Sequence, residues 1–206
     1  MSAPVFTIGH STHSQDAFID LLRAHYVEAI ADVRSMPYSR MNPQFNRESL
    51  MPALRASGIK YVFLGRELGA RSDDPCHYVG GKVQYDRLSQ SALFREGINR
   101  VIDGATRYRI ALLCAEKDPL DCHRTILVSR ELDLHQIAVS HILTNGRLEP
   151  HSAALRRLLV RLRLPTSELF RGSDELIVEA YAKQGEAIAY TMPNSDVAKT
   201  SASPRR

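Results

Sequence analysis

What this 206-residue chain lacks narrows it before anything it contains. No apolar run approaches the roughly eighteen residues that a membrane-crossing helix needs, which excludes such a span. The opening, M-S-A-P-V-F-T-I-G-H, has no basic stretch leading into an apolar core. A secretory signal is therefore not expected, and a cytoplasmic location is. There are only three cysteines, Cys76, Cys114 and Cys122. An odd count argues against a disulfide framework, and cytoplasmic thiols are expected to be reduced. Neither G-x-x-x-x-G-K-[ST] nor a G-x-G-x-x-G after the first strand occurs, so the familiar phosphate loops are excluded. Tryptophan is absent, which excludes nothing, and there is no internal repeat. The formal charge of +4 and the pI near 9.1 permit an anionic partner without requiring one. Hydrophobic content of 44% and charged content of 24% are those of a globular chain long enough to bury a core.

What is present alternates between strand and helix signals. Val5–Ile8 is a short β-prone run ended by Gly9, and Ser14 is placed to cap a helix carrying Phe18, Leu21 and Leu22. Ala29–Val33 is the next apolar run, closing at Arg34. A helix follows over Arg47–Ala56, a third strand over Ile59–Leu64, and a long polar loop over Arg71–Asp86. A helix over Ala92–Asp103 leads to a fourth strand, Ile110–Leu113, and Ala138–Leu143 is a fifth. Ser152–Leu164 and Ser173–Tyr190 read as extra helices. Residues 191–206 read as a disordered basic tail, leaving 1–190 as one domain. The order predicts an α/β fold of Rossmann-like or flavodoxin-like kind. It has three layers: a mainly parallel five-strand sheet with helices on both faces. Parallel strands put their C-terminal ends on one rim, and ligands of such sheets bind there.

The stretch around which the rest is organised is R-I-A-L-L-C-A-E-K-D-P-L-D-C-H-R-T-I-L-V-S-R-E-L-D-L, Arg109–Leu134. An apolar strand stops at Cys114 and Glu116, and Asp118-Pro119 has the signature of a helix start. Two thiols, a carboxylate, an imidazole and a guanidinium thus gather at one strand-to-helix junction. C-A-E-K-D-P-L-D-C-H-R resembles the signature of the domain of unknown function 488 family. T-I-G-H-S (Thr7–Ser11) and A-D-V-R (Ala31–Arg34) are similar to the pattern of that family's first two strands, and the resemblance runs from Phe6 to Leu143. It implies an α/β fold with a site at these motifs, and no reaction.

Four kinds of chemistry fit these residues. An anion site would use Ser11 beside a helix start, with Arg34, Arg40, Arg66, Arg71 and Arg124 as fork-shaped donors. A thiol enzyme would use Cys114, expected to be the more acidic thiol because it faces a helix N-terminus, with His10 or His123 as base. The C-x5-R loop of cysteine phosphatases is not matched. A zinc or iron site would draw on Cys114, Cys122 and His123, with Glu116 and, across the rim, His10 as further ligands, although C-x7-C-H is not a paired knuckle. Nucleic-acid binding would use the arginines of Ser152–Leu164, with no recognition motif in support. The leading expectation is a small enzyme on a phosphorylated or otherwise anionic substrate, a nucleotide or nucleic acid among them. Cys114, Glu116 and His10 would be its catalytic groups, and Ser11, Arg34, Arg40, Arg66 and Arg124 would bind substrate. The competing expectation is a non-catalytic sensor that binds a ligand or metal in the same pocket.

Overall fold

The computed structural model describes residues 4–165 and 172–193. Five strands run parallel in its main sheet: β1 (Val5–Gly9), β2 (Ala29–Asp32), β3 (Lys60–Phe63), β6 (Ile110–Cys114) and β7 (Val139–Ile142). A sixth, β8 (Leu148–Pro150), pairs antiparallel with β7, so the sheet has six strands and not the five expected. The order is β3-β2-β6-β1-β7-β8. The fourth parallel strand is inserted between the first two, which matches neither of the two usual doubly wound orders, 3-2-1-4-5-6 and 2-1-3-4-5.

Alternating side chains send each strand into two apolar layers, as a pleated strand buried on both faces must. On one face Phe6 and Ile8 of β1, with Ala111 and Leu113 of β6, pack against Phe18 and Leu22 of α1 (Gln15–Ala24). Leu50 and Leu54 of α2 (Arg47–Ala56) complete that layer. On the other, Val5, Ile110 and Leu112 meet α5 (Ala92–Ala105), α7 (His151–Arg161) and α8 (Ser173–Ile188). Ser14 caps α1 by accepting the Ala17 N–H at 3.2 Å, as its sequence position suggested.

The expected long loop over Arg71–Asp86 is partly folded. It contains a short hairpin, β4 (Tyr78–Val79) and β5 (Lys82–Val83), turning at Gly80 and Gly81, both at positive φ. The start of the expected disordered tail is also fixed. Thr191 bridges Lys82, and the Met192 N–H donates to the Gly81 carbonyl at 2.8 Å. Residues 194–206 lie outside the described part. No described helix is long and apolar enough to cross a membrane.

The register places the site. Gly9 pairs with Cys114, and Asp32 with Leu113, so the ends of β1, β6 and β2 lie side by side. The chain leaves β2 toward β3 at one edge of the sheet and leaves β6 toward β7 in the opposite direction. Their diverging loops open a crevice, the usual position of a ligand in an open α/β sheet.

Candidate functional site

Between β6 and α6 (Arg130–Leu134) the chain does not form the single helix expected from Asp118-Pro119. Asp118 instead caps one 3₁₀ turn, Pro119–Asp121, accepting the Leu120 N–H at 2.9 Å. Cys122 is then extended (φ −138°, ψ 141°), and a second helical segment begins behind it, π-type over Arg124–Ser129, before running into α6. Cys122 therefore stands at a helix N-terminus. Its carbonyl accepts the N–H of Thr125 at 3.1 Å, and its Sγ accepts that of Arg124 at 3.4 Å.

This double start folds Cys122 and His123 back against the end of β6. Nδ1 of His123 lies 3.7 Å from Cys114 Sγ and 3.9 Å from Cys122 Sγ, and the three donor atoms lie within 4.8 Å of one another. Nε2 of His123 is 3.1 Å from the Val33 carbonyl. A carbonyl can only accept, so Nε2 carries the proton and Nδ1 faces the sulfurs. Cys114 Sγ reaches Glu116 Oε2 at 3.2 Å. All three residues are buried, yet they line one cleft of about 610 Å³ together with Glu116, His10 and Ser11.

The thiols are set apart by their surroundings. Proton sharing with Cys122, then burial, push Cys114 well above an ordinary thiol, with the charges of Cys122 and Glu116 adding to it. Burial opposes ionisation of Cys122, but the Cys114 thiol, the Arg124 charge and His123 together hold it well below. The order expected of the two thiols is thus reversed, because the Cys114 thiol, Arg124 and His123 all favour the charged form of Cys122. Burial, and then the charge on Cys122, raise Glu116. His123 is raised, since Cys122 and Glu116 outweigh its burial.

His10 completes the floor. Its ring stacks on Phe45 at 4.4 Å, and its Nδ1 donates to the Ser11 carbonyl at 2.9 Å, leaving Nε2 as an acceptor. Burial lowers it to about 4, so the imidazole is neutral near pH 7. His10 and Ser11 are held to the end of β6 by backbone hydrogen bonds to Cys114 and Ala115, and Ser11 takes a left-handed φ of 49°. Non-glycine residues in that region concentrate at functional loops.

The arginines fare differently from what the sequence suggested. Arg34 lines the cleft, but Nε and Nη2 grip Asp32 at 2.9 and 2.6 Å, and Nη1 donates to the Phe45 carbonyl at 3.0 Å. Its main role is a brace that holds Phe45 beneath His10. Arg124 is 1% exposed and lies behind the cleft wall; Nη1 holds the Glu116 carbonyl at 2.9 Å and Nε has no partner. Arg40 and Arg66 are exposed and do not line the cleft. Arg71 does, stacked 4.4 Å over Tyr190 at the mouth. Sequence reasoning missed three further lining residues, Lys117, Tyr85 and Tyr190. Lys117 adjoins Glu116 in the motif and could have been found. Tyr190 arrives from the far end of α8 with no local signal.

A larger hollow of about 920 Å³ lies over the β7–β8 turn, sharing Glu116, Lys117 and Asp121 with the cleft. It holds no thiol and no imidazole, and its Arg157 is already paired with Asp118 and Glu149. Arg161 of the same helix is paired with Asp121. Of the four arginines expected to meet nucleic acid, Arg157 and Arg161 are thus engaged by neighbouring carboxylates.

Comparison with known proteins gives one match. The family model described as "Domain of unknown function DUF488" matches residues 14–130, more than half of the chain. The matched span takes in β2, the cysteine motif and the start of α6, while Thr7–Ser11 precedes it. No curated protein and no solved structure matches.

Proposed function

The chain belongs to the domain of unknown function DUF488 family, a name that carries no reaction, and we propose from its cleft that it is a small enzyme acting on an anionic small molecule of about nucleotide size. The observation that carries this is the convergence of Glu116, His10, Cys114, Cys122 and His123 on one concave site at the switch point of the sheet. A merely structural junction has no need to place an acid, a neutral imidazole and two thiols on the same wall. Glu116 is the proton carrier, within reach of the reacting centre and of a ligand in the cleft. His10 offers Nε2 as an acceptor. Arg71 and Lys117 supply the positive charge at the mouth, with the hydroxyls of Ser11 and Ser35 beside them. Tyr85 and Tyr190 give flat surfaces against which a ring can lie. The cleft fits a nucleotide better than a duplex, because two of the three arginines of α7, Arg157 and Arg161, are already engaged.

The test is incubation of the protein with a panel of mononucleotides and sugar phosphates, with products followed by mass spectrometry. On the compound that turns over, Glu116→Gln lowers kcat by about 100-fold or more with little change in binding, the usual loss for a general acid or base. Arg71→Ala raises KM instead. Turnover unaffected by Glu116→Gln contradicts the assignment, and binding without turnover of any panel member makes the chain a binding protein.

A further inference from the structure

We infer that Cys114, Cys122 and His123 hold one zinc-type divalent cation, with its fourth position open to the cleft and Glu116 beside that position. The inference deepens the enzyme reading by naming the reacting centre, but occupancy can be tested without any substrate. It rests first on spacing. Around a tetrahedral zinc with bonds of about 2.3 Å to sulfur and 2.0–2.1 Å to nitrogen, neighbouring ligand atoms lie roughly 3.5–3.8 Å apart. The His123 Nδ1 to sulfur distances are 3.7 and 3.9 Å, and all three donors fall within 4.8 Å. The nitrogen–sulfur distances need a change of a few tenths of an ångström, and the sulfur–sulfur distance, no more than 4.8 Å, a change of at most about 1 Å.

Secondly, the atoms behind the ligands are those a metal site requires. A metal-bound histidine commonly gives its other ring N–H to a carbonyl, which fixes the ring and the tautomer. His123 does so, with Nε2 3.1 Å from the Val33 carbonyl. The Cys122 sulfur is aligned by the Arg124 N–H at 3.4 Å. Thirdly, charge needs an account. Arg124 is buried and makes no ion pair among the described residues, and its Nε has no partner. A buried guanidinium demands compensating negative charge close by. Two thiolates and the Glu116 carboxylate balance a divalent ion and Arg124 together. The Cys122 thiolate meets part of that demand, and the metal centre adds the second thiolate and the carboxylate.

The ligand set also states what kind of site this is. Three protein ligands with a position left open to solvent is the catalytic zinc arrangement, whereas structural sites close all four. Thiolate and imidazole favour zinc or iron over magnesium or calcium. Glu116 follows Cys114 by two residues and reaches its sulfur at 3.2 Å, but the donor atoms that converge within 4.8 Å of one another are those of Cys114, Cys122 and His123, so the carboxylate stands beside the set. A water molecule held at the open position would lose its proton to Glu116, and the resulting hydroxide would be the nucleophile offered to the substrate. His10 lies on the same wall, with Nδ1 engaged by the Ser11 carbonyl and Nε2 facing a ligand, and is outside the converging donor set.

The experiment is metal analysis of protein made without an affinity tag, exchanged into Zn²⁺ and passed through gel filtration. One zinc per chain is expected. Cys122→Ser and His123→Ala are expected to fall below a fifth of that, and Cys76→Ser and Glu116→Gln to keep it. Replacement with Co²⁺ gives thiolate charge-transfer absorption in the near ultraviolet and tetrahedral bands in the visible, a readout on the wild-type chain that stands even if the ligand variants do not fold. Retention of no zinc by the wild-type chain overturns the inference, as does octahedral cobalt without thiolate absorption. Loss of zinc in Glu116→Gln overturns the role given to Glu116. Zinc without turnover of any compound leaves this site standing and removes the enzyme reading.

Discussion

A Cβ built on Gly9 would sit 1.8 Å from the Glu116 carbonyl oxygen and 3.1 Å from Nη2 of Arg124. Neither neighbour is free to move, since the carbonyl is itself held by Arg124 Nη1. Gly9→Ala is expected to cost more than about 3 kcal/mol in urea unfolding, in the range where only overpacking or buried-network damage acts. Gly58 has a φ of +74° with nothing within 4 Å of a Cβ, so its alanine variant should cost only about 1 kcal/mol. The reverse order of the two would mean that the approach of β1 to the Glu116 loop is not as close as described. The cysteine, histidine and glutamate cluster was legible at this scale because all its members lie within ten residues of one strand end. Arg34 was not read correctly, although a signal was there. Residues two apart at a strand end share a face, and Asp32 was the partner waiting for it. Charge alone marks an arginine as a possible ligand holder; only the neighbours show whether its donors are already in use.

At the scale of elements, the long periodic segments were readable and the short ones were not. α1, α2, α5, α7 and α8 each carry an apolar stripe, and for the last four the expected bounds differ from the observed ones by three residues or fewer. β8 was missed because three residues ending in proline hold no alternation. The Asn145-Gly146 pair before it was nevertheless a hairpin signal, with Gly146 at φ 79°. Gly80-Gly81 played the same part for β4–β5. The break at Cys122 was the costliest miss. Asp118-Pro119 is an honest helix start, and it does start one turn. Nothing local shows that the turn ends after Asp121, since that depends on Leu120 packing into the core and Gln184 of α8 holding the Leu120 carbonyl at 2.8 Å. Which thiol Arg124 and His123 favour in its charged form, and so which is the more acidic, follows from that tertiary event.

For the whole molecule, the strand order lay beyond the sequence, because inserting β6 between β1 and β2 is decided by long-range packing and not by any single segment. The meeting of His10, Arg34 and Cys114 survives that uncertainty, since any parallel arrangement sends their strand ends to one rim. The same long-range packing buries a polar chain across the sheet. Thr7 Oγ1, His141, His151 and the Tyr181 hydroxyl are linked at 2.8, 3.1 and 2.7 Å. Burial lowers His151 to about 4, against the opposing charge of Asp133. Burial also lowers His141 well below its ordinary value, helped by His151, Arg124 and Arg157 and opposed by Asp118. Both rings are neutral when folded and titrate near 6.5 when unfolded, so the unfolded chain binds more protons as pH falls. Stability is therefore full above pH 6.5 and declines toward pH 4, by roughly 3 kcal/mol from His151 alone. Urea unfolding at half-unit steps should show this slope, and His151→Gln should flatten it. A level profile between pH 6.5 and 4.5 would mean that the pair is not buried as a neutral unit.

The central claim, that Cys114 and Cys122 are joined through one bound cation at the working end of the sheet, is tested most directly by timed labelling with limiting iodoacetamide at neutral pH. Each cysteine is followed by peptide mass analysis, with and without a chelator. The hydrogen bond to Asp74 raises the Cys76 thiol and slows it, but it is the one exposed thiol and bears on no metal, so it should label first and indifferently to the chelator. Cys114 and Cys122 should stay protected in the metal-loaded protein and become reactive together once the metal is removed, Cys122 the faster. Immediate labelling of Cys122 in the untreated protein, or protection of both thiols that no chelator relieves, would contradict the account.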